Sequence, residues 1–403
     1  MTDHLIRNNL KILHIITVFS IGGATENTLL TVRGFIKKGY KVDILTGPNI
    51  SSEGDMYELG KKFGVNVITL STLKRKIHCF YDLISLFKIY RFIRKNEYNV
   101  VHTHSSKAGI IGRIAAKMAR TPIIIHTIHG LPFHAYQNLF LNKLYVLIEK
   151  IGARLSDKII TVTYKIIKDS LKNGIGFKDK FKVVRSGLDI STFTKNDFDS
   201  EEVRKRLGIS KEDIVVGKIA RFSELKGHKY LIDAIRKIIS SNPRVKVLLV
   251  GSGELENKFK GVVKDLNLEQ NIIFTGLIEY EKVPEIISAL DILVHTSLLE
   301  GLARVFPQAF LLRKPVVSFD IDGASEVVLN NETGFLVEPK NSEQLAEAII
   351  KLINDQKLRE RFGESGYNLV RENWSQEKMV DDLELIYDQL GNNSFTNYES
   401  YRQ

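Results

Sequence analysis

From end to end the chain alternates short runs of β-branched and apolar residues with longer stretches whose apolar positions recur at helical spacing. Parallel strands are buried on both faces and must be joined by crossover helices, so this alternation predicts parallel sheets covered by helices, an α/β fold. In the first half the strand candidates are Lys11–Thr17, Lys41–Leu45, Val65–Leu70, Val100–His102, Ile123–Thr127, Lys158–Val162 and Lys182–Val184. In the second half they are Val215–Ala220, Lys246–Val250, Ile272–Thr275, Ile292–His295, Pro315–Phe319 and Gly334–Val337. With 403 residues the chain is too long for one ordinary core. The polar stretch between Val184 and Val215 marks the expected boundary, dividing the chain into domains over 1–192 and 193–374. A final amphipathic helix is expected over about 375–390, with Ser375 as N-cap and Glu377 in its first turn, followed by a frayed polar tail over 391–403.

Charge is distributed unevenly between these halves. Residues 1–190 carry 30 Lys+Arg against 13 Asp+Glu, and the remaining 213 residues carry 28 against 34. The richest stretch, Leu73–Lys95, holds seven basic residues and one acid, interleaved with Phe80, Leu83, Ile84, Phe87 and Ile93. It reads as a basic amphipathic helix, suited either to an anionic membrane surface or to an ordinary core contact with solvated charges. No nucleic-acid motif accompanies the charge, so no nucleic-acid partner is expected. The single cysteine, Cys79, excludes an intrachain disulfide, and no apolar run reaches the length of a membrane span. The N-terminal run Met1–Leu10 is polar and Ile12–Phe19 is too short for a signal peptide, so the expected location is cytoplasmic, peripheral on the inner face of a membrane if the basic stretch docks there.

Ligands of open parallel sheets sit at the carboxyl ends of strands, where loops lead into helix N-termini. Gly22 and Gly23 follow the first strand and open a helix over Glu26–Lys38, where glycines let backbone N–H groups approach an anion closely. The sequence lacks the full Gly-x-Gly-x-x-Gly fingerprint, so the turn alone is also compatible with a simple bend. His126 and His129 stand at the end of the fifth strand, near His102 and His104 in sequence. No pair has the i, i+4 spacing of a helical zinc site and no carboxylate accompanies them, so no metal is expected, and His129 is better suited to hydrogen bonding a ligand hydroxyl. Arg221 and Lys226 follow the strand Val215–Ala220. A guanidinium fork and an ammonium placed there can stabilise charge developing on a departing diphosphate. Gly251 and Gly253 form a further turn after Lys246–Val250, expected to border a nucleotide. Glu300 can accept hydrogen bonds from sugar hydroxyls, Gly301 and Leu302 begin a stretch offering backbone N–H groups, and Asp320-Ile-Asp322 reads as an ordinary strand-end loop.

Together, Gly22-Gly-Ala24, Thr127-Ile-His129-Gly130, Ser186-Gly187-Leu-Asp189, Arg221 with Lys226-Gly227, Gly251-Ser-Gly253, Glu300-Gly301, Gly323-Ala-Ser-Glu326, Thr333-Gly334 and Trp374-Ser resemble the retaining glycosyltransferases of family 4 over nearly the whole chain. The resemblance implies the GT-B fold, two Rossmann-like domains with parallel sheets facing across a cleft. It implies an acceptor held by the first domain and a nucleotide sugar held mainly by the second, with the last helix returning to the first. It further implies Arg221 and Lys226 on the diphosphate, Glu300 on donor-sugar hydroxyls, His129 near the transferred sugar, and retention without an obligatory metal or other cofactor. Two positions depart from the family pattern. Gln308 stands where a second glutamate holds the ribose hydroxyls, and Ser186 stands where asparagine is common.

The leading expectation is transfer from a UDP-sugar, or a GDP-sugar, to a glycan or polyprenyl-linked acceptor in cell-surface polysaccharide synthesis. The alternatives are the same fold acting on a small acceptor in solution, and a non-catalytic basic protein that binds membrane or nucleic acid.

Overall fold

The computed structural model describes residues 10–48, 54–194 and 198–399, with side chains through Asn392. The polar run 1–9, Lys195 and its two successors in the linker, and the last four tail residues lie outside the described residues. The chain separates into two compact units, one made of Met1–Leu188 with Ser375–Gln403, the other of Asp189–Trp374.

The first unit is built on seven parallel strands, β1 (Lys11–Ile16), β2 (Lys41–Thr46), β3 (Asn66–Thr69), β4 (Val100–His104), β5 (Ile123–Ile128), β6 (Lys158–Thr161) and β7 (Phe181–Val183). Their order is β3-β2-β1-β4-β5-β6-β7. The second unit has β8 (Ile214–Ile219), β9 (Val245–Val250), β10 (Ile272–Gly276), β11 (Ile292–His295), β12 (Val316–Phe319) and β13 (Gly334–Val337) in the order β10-β9-β8-β11-β12-β13. Every strand candidate of the sequence overlaps one of these. Each sheet winds outward in both directions from its first strand, so the connections part at β1/β4 in one unit and at β8/β11 in the other. That parting leaves a crevice at the strand carboxyl ends, the usual ligand position of doubly wound sheets.

The helices that bear on function are α1 (Gly23–Lys37), α2 (Cys79–Asn96), α3 (Ser106–Met118) and α4 (Leu139–Leu155) in the first unit, then α5 (His228–Ser241) and α6 (Val305–Leu311) in the second, and finally α7 (Gln376–Glu399). Burying apolar strands between helix layers gives each unit its core. In the second, Val216, Val247, Leu249, Ile292 and Val294 of the sheet pack with Leu231, Ile232 and Ile235 of α5. In the first, Leu13, Ile15, Val101 and Ile124 pack with Ile89 and Ile93 of α2 and with Ala108, Ala115 and Ala116 of α3.

The last helix belongs to the first unit. α7 lies on α1, with the Phe35 and Tyr387 rings stacked 5.1 Å apart. Lys38 holds Asp381 at 2.5 Å and also pairs with Glu384, which accepts from the Tyr40 hydroxyl at 2.8 Å. The Gly34 position is close enough to Val380 that a Cβ there would sit 2.4 Å from a methyl carbon, so α1 and α7 meet backbone to side chain. The helix runs to Glu399, past the end expected near 390, because the polar run that follows contains no proline to stop it. Likewise α1 begins at Gly23, ahead of the Glu26 start read from the sequence, with the N–H of Glu26 already donating to the Gly22 carbonyl at 2.9 Å.

Candidate active site

The second unit builds its site from three strand-end loops. After β8 the chain makes a short turn over Glu224–Lys226 and reaches Gly227 in the left-handed region at φ 63°. A Cβ at Gly227 would lie 2.0 Å from the Thr296 carbonyl oxygen, so this crossing of loops is open only to glycine. Thr296 donates its hydroxyl to the Gly227 carbonyl at 2.7 Å, and the N–H of Leu298 donates to the Leu225 carbonyl at 2.8 Å. The loops after β8 and β11 are thereby stitched together, and the stitching delivers the Lys226 ammonium to the Glu300 carboxylate at 2.5 Å. The third loop, after β12, contributes Asp322, whose carboxylate accepts the Glu300 backbone N–H at 2.7 Å. Asp320-Ile-Asp322 therefore serves this site as a backbone support.

His295, the last residue of β11, completes the group with its Nε2 3.2 Å from the same Glu300 oxygen and its ring edge-on to Phe306 at 5.0 Å. Burial pushes the Glu300 carboxyl up, but the Lys226 ammonium and then the His295 ring outweigh it and hold the group well below the usual carboxylate range. Glu300 is thus a fixed anion, held ready to accept. The same burial pulls His295 down to about 4, against the opposing pull of Glu300, so its ring is neutral at physiological pH.

Beneath this pair lies Lys218 of β8, fully buried and with no hydrogen-bond partner for its ammonium nitrogen among the described residues. Burial, with Lys226 adding and Glu300 opposing, brings its pKa down to about 7. The sequence reading passed over Lys218 and His295. The available signal was a lysine inside the apolar run Ile-Val-Val-Gly-Lys-Ile, where a strand buried on both faces has no ordinary place for a charge.

Arg221 stands at the mouth of the same loop, half-buried. Its backbone is braced by the glycine turn: the N–H of Phe222 donates to the Ser252 carbonyl at 3.0 Å, and a Cβ at Gly251 or Gly253 would fall 2.4 Å from the Ala220 oxygen or 2.5 Å from the Phe222 oxygen. Gly301 and Leu302 lie in the loop entering α6, and Gln308 lies within that helix with its side chain buried. Among the expected residues of this unit, Lys226 and Glu300 are brought into direct contact.

His129, Gly22 and Gly23 lie in the first unit. The two glycines cap α1, and Gly22 faces open space with nothing within 4 Å of an added Cβ. His129 ends a row of imidazoles along the sheet: His14 Nδ1 meets His104 Nε2 at 2.8 Å, and His104 Nδ1 meets His129 Nε2 at 3.0 Å. Beside them His102 joins Tyr387 at 2.7 Å and Thr127 at 2.6 Å, while His126, inside β5, joins Thr103 at 2.9 Å. Ring nitrogens of His14, His102 and His104 come within 4.8 Å of one another, the spacing of a three-ligand cation site. Both nitrogens of His102 and of His104 are already engaged in hydrogen bonds, so the row reads as a hydrogen-bonded network rather than a ligand set. Burial drives all four inner rings toward the neutral form, His14 to about 3.

Two parallel-sheet Rossmann-like units with charge assembled at a switch point define the GT-B class. Anabaena HepE, solved with UDP and glucose, superposes with a TM-score of 0.82 at 23% identity, covering 94% of this chain and all of that one. The sequence profile for glycosyltransferase family 4 matches residues 21–192, and that for group 1 glycosyl transferases matches 199–369. The capsular polysaccharide biosynthesis glycosyltransferase CapM of Staphylococcus aureus is 30% identical over 94% of this chain and 97% of its own length. An Escherichia coli UDP-Gal:alpha-D-GlcNAc-diphosphoundecaprenol alpha-1,3-galactosyltransferase is 28% identical over 80% of this chain and 84% of its own. The chain belongs to this family of glycosyltransferases.

Proposed function

We propose that the protein transfers a sugar, with retention of anomeric configuration, from a UDP-sugar to a lipid-linked glycan intermediate of cell-surface polysaccharide synthesis. The observation that carries this reading is the Lys226–Glu300 pair at the β8/β11 switch point: one group suited to a diphosphate, the other to sugar hydroxyls, 2.5 Å apart. UDP is favoured because the HepE structures hold UDP and UDP-glucose, and a lipid-linked acceptor because the E. coli relative is named for one.

In this reading the bond from the anomeric carbon to the β-phosphate oxygen breaks, and its electron pair leaves on the diphosphate. Lys226 and Arg221 neutralise that developing charge, the kind of fixed electrostatic stabilisation that dominates many transfer reactions. The acceptor hydroxyl forms the new bond to the anomeric carbon on the face the diphosphate leaves, and its proton departs with the nucleotide. Glu300 holds donor-sugar hydroxyls, Gln308 the ribose, and the loops containing Gly251, Gly253, Gly301 and Leu302 border the nucleotide. The first unit contributes the acceptor site, with His129 and the Gly22-Gly23 turn, and the basic stretch 73–95 attaches it to an anionic membrane.

Thermal unfolding in the presence of UDP, GDP and ADP tests the donor side, since a ligand at about 100 times its Kd that binds only the folded state adds about 2.7 kcal/mol of stability. The expected result is a rise with UDP and its sugars. Stabilisation by GDP alone would reassign the donor, and none by any nucleotide would overturn the reading.

A further inference from the structure

Helices α2, α3 and α4 lie side by side over the first sheet, α3 in the middle. α2 buries Ser85, Ile89 and Ile93 against the core. At 100° per residue the opposite face carries Phe80, Leu83 and Phe87, exposed by 64, 53 and 51%, with Ile77 just before them at 68%. α4 repeats the arrangement: Glu149, Gly152 and Ala153 face inward, while Phe140, Leu144, Leu147 and Ile151 form a stripe at i, i+4, i+7 and i+11, with Phe140 77% exposed. A monomer rarely leaves two parallel apolar stripes of this kind in water.

The charges of these helices are sorted in the same sense. The acids within α2 and α4 are Asp82 and Glu149, and both turn inward onto basic residues of α3. Asp82 meets Lys107 at 2.5 Å, and Glu149 meets the buried Arg113 at 3.2 Å, in a space that Gly152 leaves by having no side chain. Lys107 also donates to the carbonyls of Lys74 and Lys76, pinning the basic loop before α2 to the same layer. What remains outward is cationic: Lys88, Arg91, Arg94 and Lys95 on α2, and Lys143 and Arg154 on α4. Long basic side chains flanking apolar ones suit the headgroup region of a bilayer, where the stems lie along acyl chains and the charges reach phosphates. No helix among the described residues is long and apolar enough to cross a membrane.

We propose that α2 and α4 together form one docking face for an anionic lipid bilayer, inserting Phe80, Leu83 and Phe87 from one helix and Phe140, Leu144, Leu147 and Ile151 from the other. The proposal deepens the membrane attachment above by adding a second inserting helix that the sequence reading did not mark, and by making α3 the clamp that turns both acids away from the lipid. It rests on that reading for the choice of a lipid surface, and its test needs neither donor nor acceptor.

The full chain is sedimented with vesicles of phosphatidylcholine alone and of phosphatidylcholine with phosphatidylglycerol. Phe140→Ser with Leu147→Ser, and separately Phe80→Ser with Phe87→Ser, should each lower partitioning onto the anionic vesicles by about tenfold or more per side chain. All four residues are exposed, so thermal midpoints should stay at the parent value. Single Phe140→Trp and Phe87→Trp reporters should both shift their emission to the blue on anionic vesicles, which keeps the test alive if a serine variant fails to fold. Unchanged partitioning of the α4 pair, or a silent Phe140→Trp reporter while the protein pellets, overturns the two-helix face. Equal uptake by neutral vesicles overturns the anionic surface, and a dimer that the serine variants dissolve assigns the face to a second copy instead. Transfer to a water-soluble acceptor should be the same in all variants. Its loss in the parent as well would count against the proposed function and leave the vesicle result standing.

Discussion

The two sheets wind alike, yet they bury opposite kinds of polar group at corresponding places. At the β1/β4 point of the first unit, imidazoles hydrogen-bond one another in a row and stay neutral, with the buried Nε2 of His14 left without a partner among the described residues. At the β8/β11 point of the second, a carboxylate and an ammonium are held in contact, with a further lysine buried below them. A row of neutral rings can offer a ligand hydrogen bonds but no charge. A pair of opposite charges at a strand-end crevice can exchange partners, the ammonium for a phosphate and the carboxylate for hydroxyls, without creating a new charge in the interior.

The contrast has a pH signature, which is the largest effect expected. His14, His102, His104 and His126 refuse protons in the folded state because burial lowers their pKa values. Below the ordinary value of 6.5 the unfolded rings bind protons that the folded ones do not, so stability falls as pH falls from about 6.5, by at most about 1.4 kcal/mol per pH unit for each ring. His228 and His295 of the second unit add to this in the same sense. Lys218 acts on the other side of neutrality. With a folded pKa of about 7 against an ordinary 10.5, its burial costs most below pH 7, and stability rises with pH between the two values. Urea midpoints at pH 5.0, 6.5, 7.5 and 9.5 should show both slopes, and Lys218→Met should reduce the alkaline one alone, leaving the part contributed by Lys314, which burial brings down to about 8. A flat profile from pH 6.5 to 5.0 would mean that the histidine row is charged or open to water.

A substitution inside the charged pair reads out function more directly. Lys226→Ala should lower kcat roughly 100-fold or more at saturating donor, the usual effect of deleting one donor aimed at transition-state charge. Arg221→Lys should also impair transfer, because an ammonium does not reproduce the planar fork. Steady-state rates with UDP-sugar saturating settle the point, and an unchanged kcat in Lys226→Ala would remove Lys226 from the diphosphate.

Much of this was open to reading from the residues. The strands announced themselves because parallel strands buried on both faces must be continuously apolar, and Arg221, Lys226 and Glu300 stood out jointly, as charges on the loops after two strands of one half, although each alone has an ordinary surface or helix-cap reading. What the sequence withheld depends on long-range approach. Nothing adjacent to Asp322 shows that it braces the Glu300 backbone, since the two are joined only when β11 and β12 pair. The inward turn of Asp82 and Glu149 is equally silent in one dimension, because their partners sit on a third helix. His104 and His14 are 90 positions apart and meet only across the β1–β4 pairing.

The smallest expected effect concerns Gln308, one of the two positions at which this chain departs from the family pattern. Its side chain is buried on α6, in the helix entered from the Gly301-Leu302 loop. An amide offers one acceptor oxygen, whereas a carboxylate can accept from both vicinal ribose hydroxyls with charge-assisted strength. Gln308→Glu should therefore tighten UDP binding by a few-fold, a gain on the order of 1 kcal/mol from the stronger hydrogen bonds less the cost of burying a charge. The change is nearly isosteric but sets a carboxylate on a buried position, so the thermal midpoint without ligand should fall and UDP should restore part of the loss. Calorimetric titration of UDP into both forms decides the matter. Weaker binding by the glutamate form would show that the position faces a neutral or anionic neighbour instead of the ribose. Glu300→Gln should remain the more damaging change in either case, since it dismantles the Lys226 pair from which the site is built.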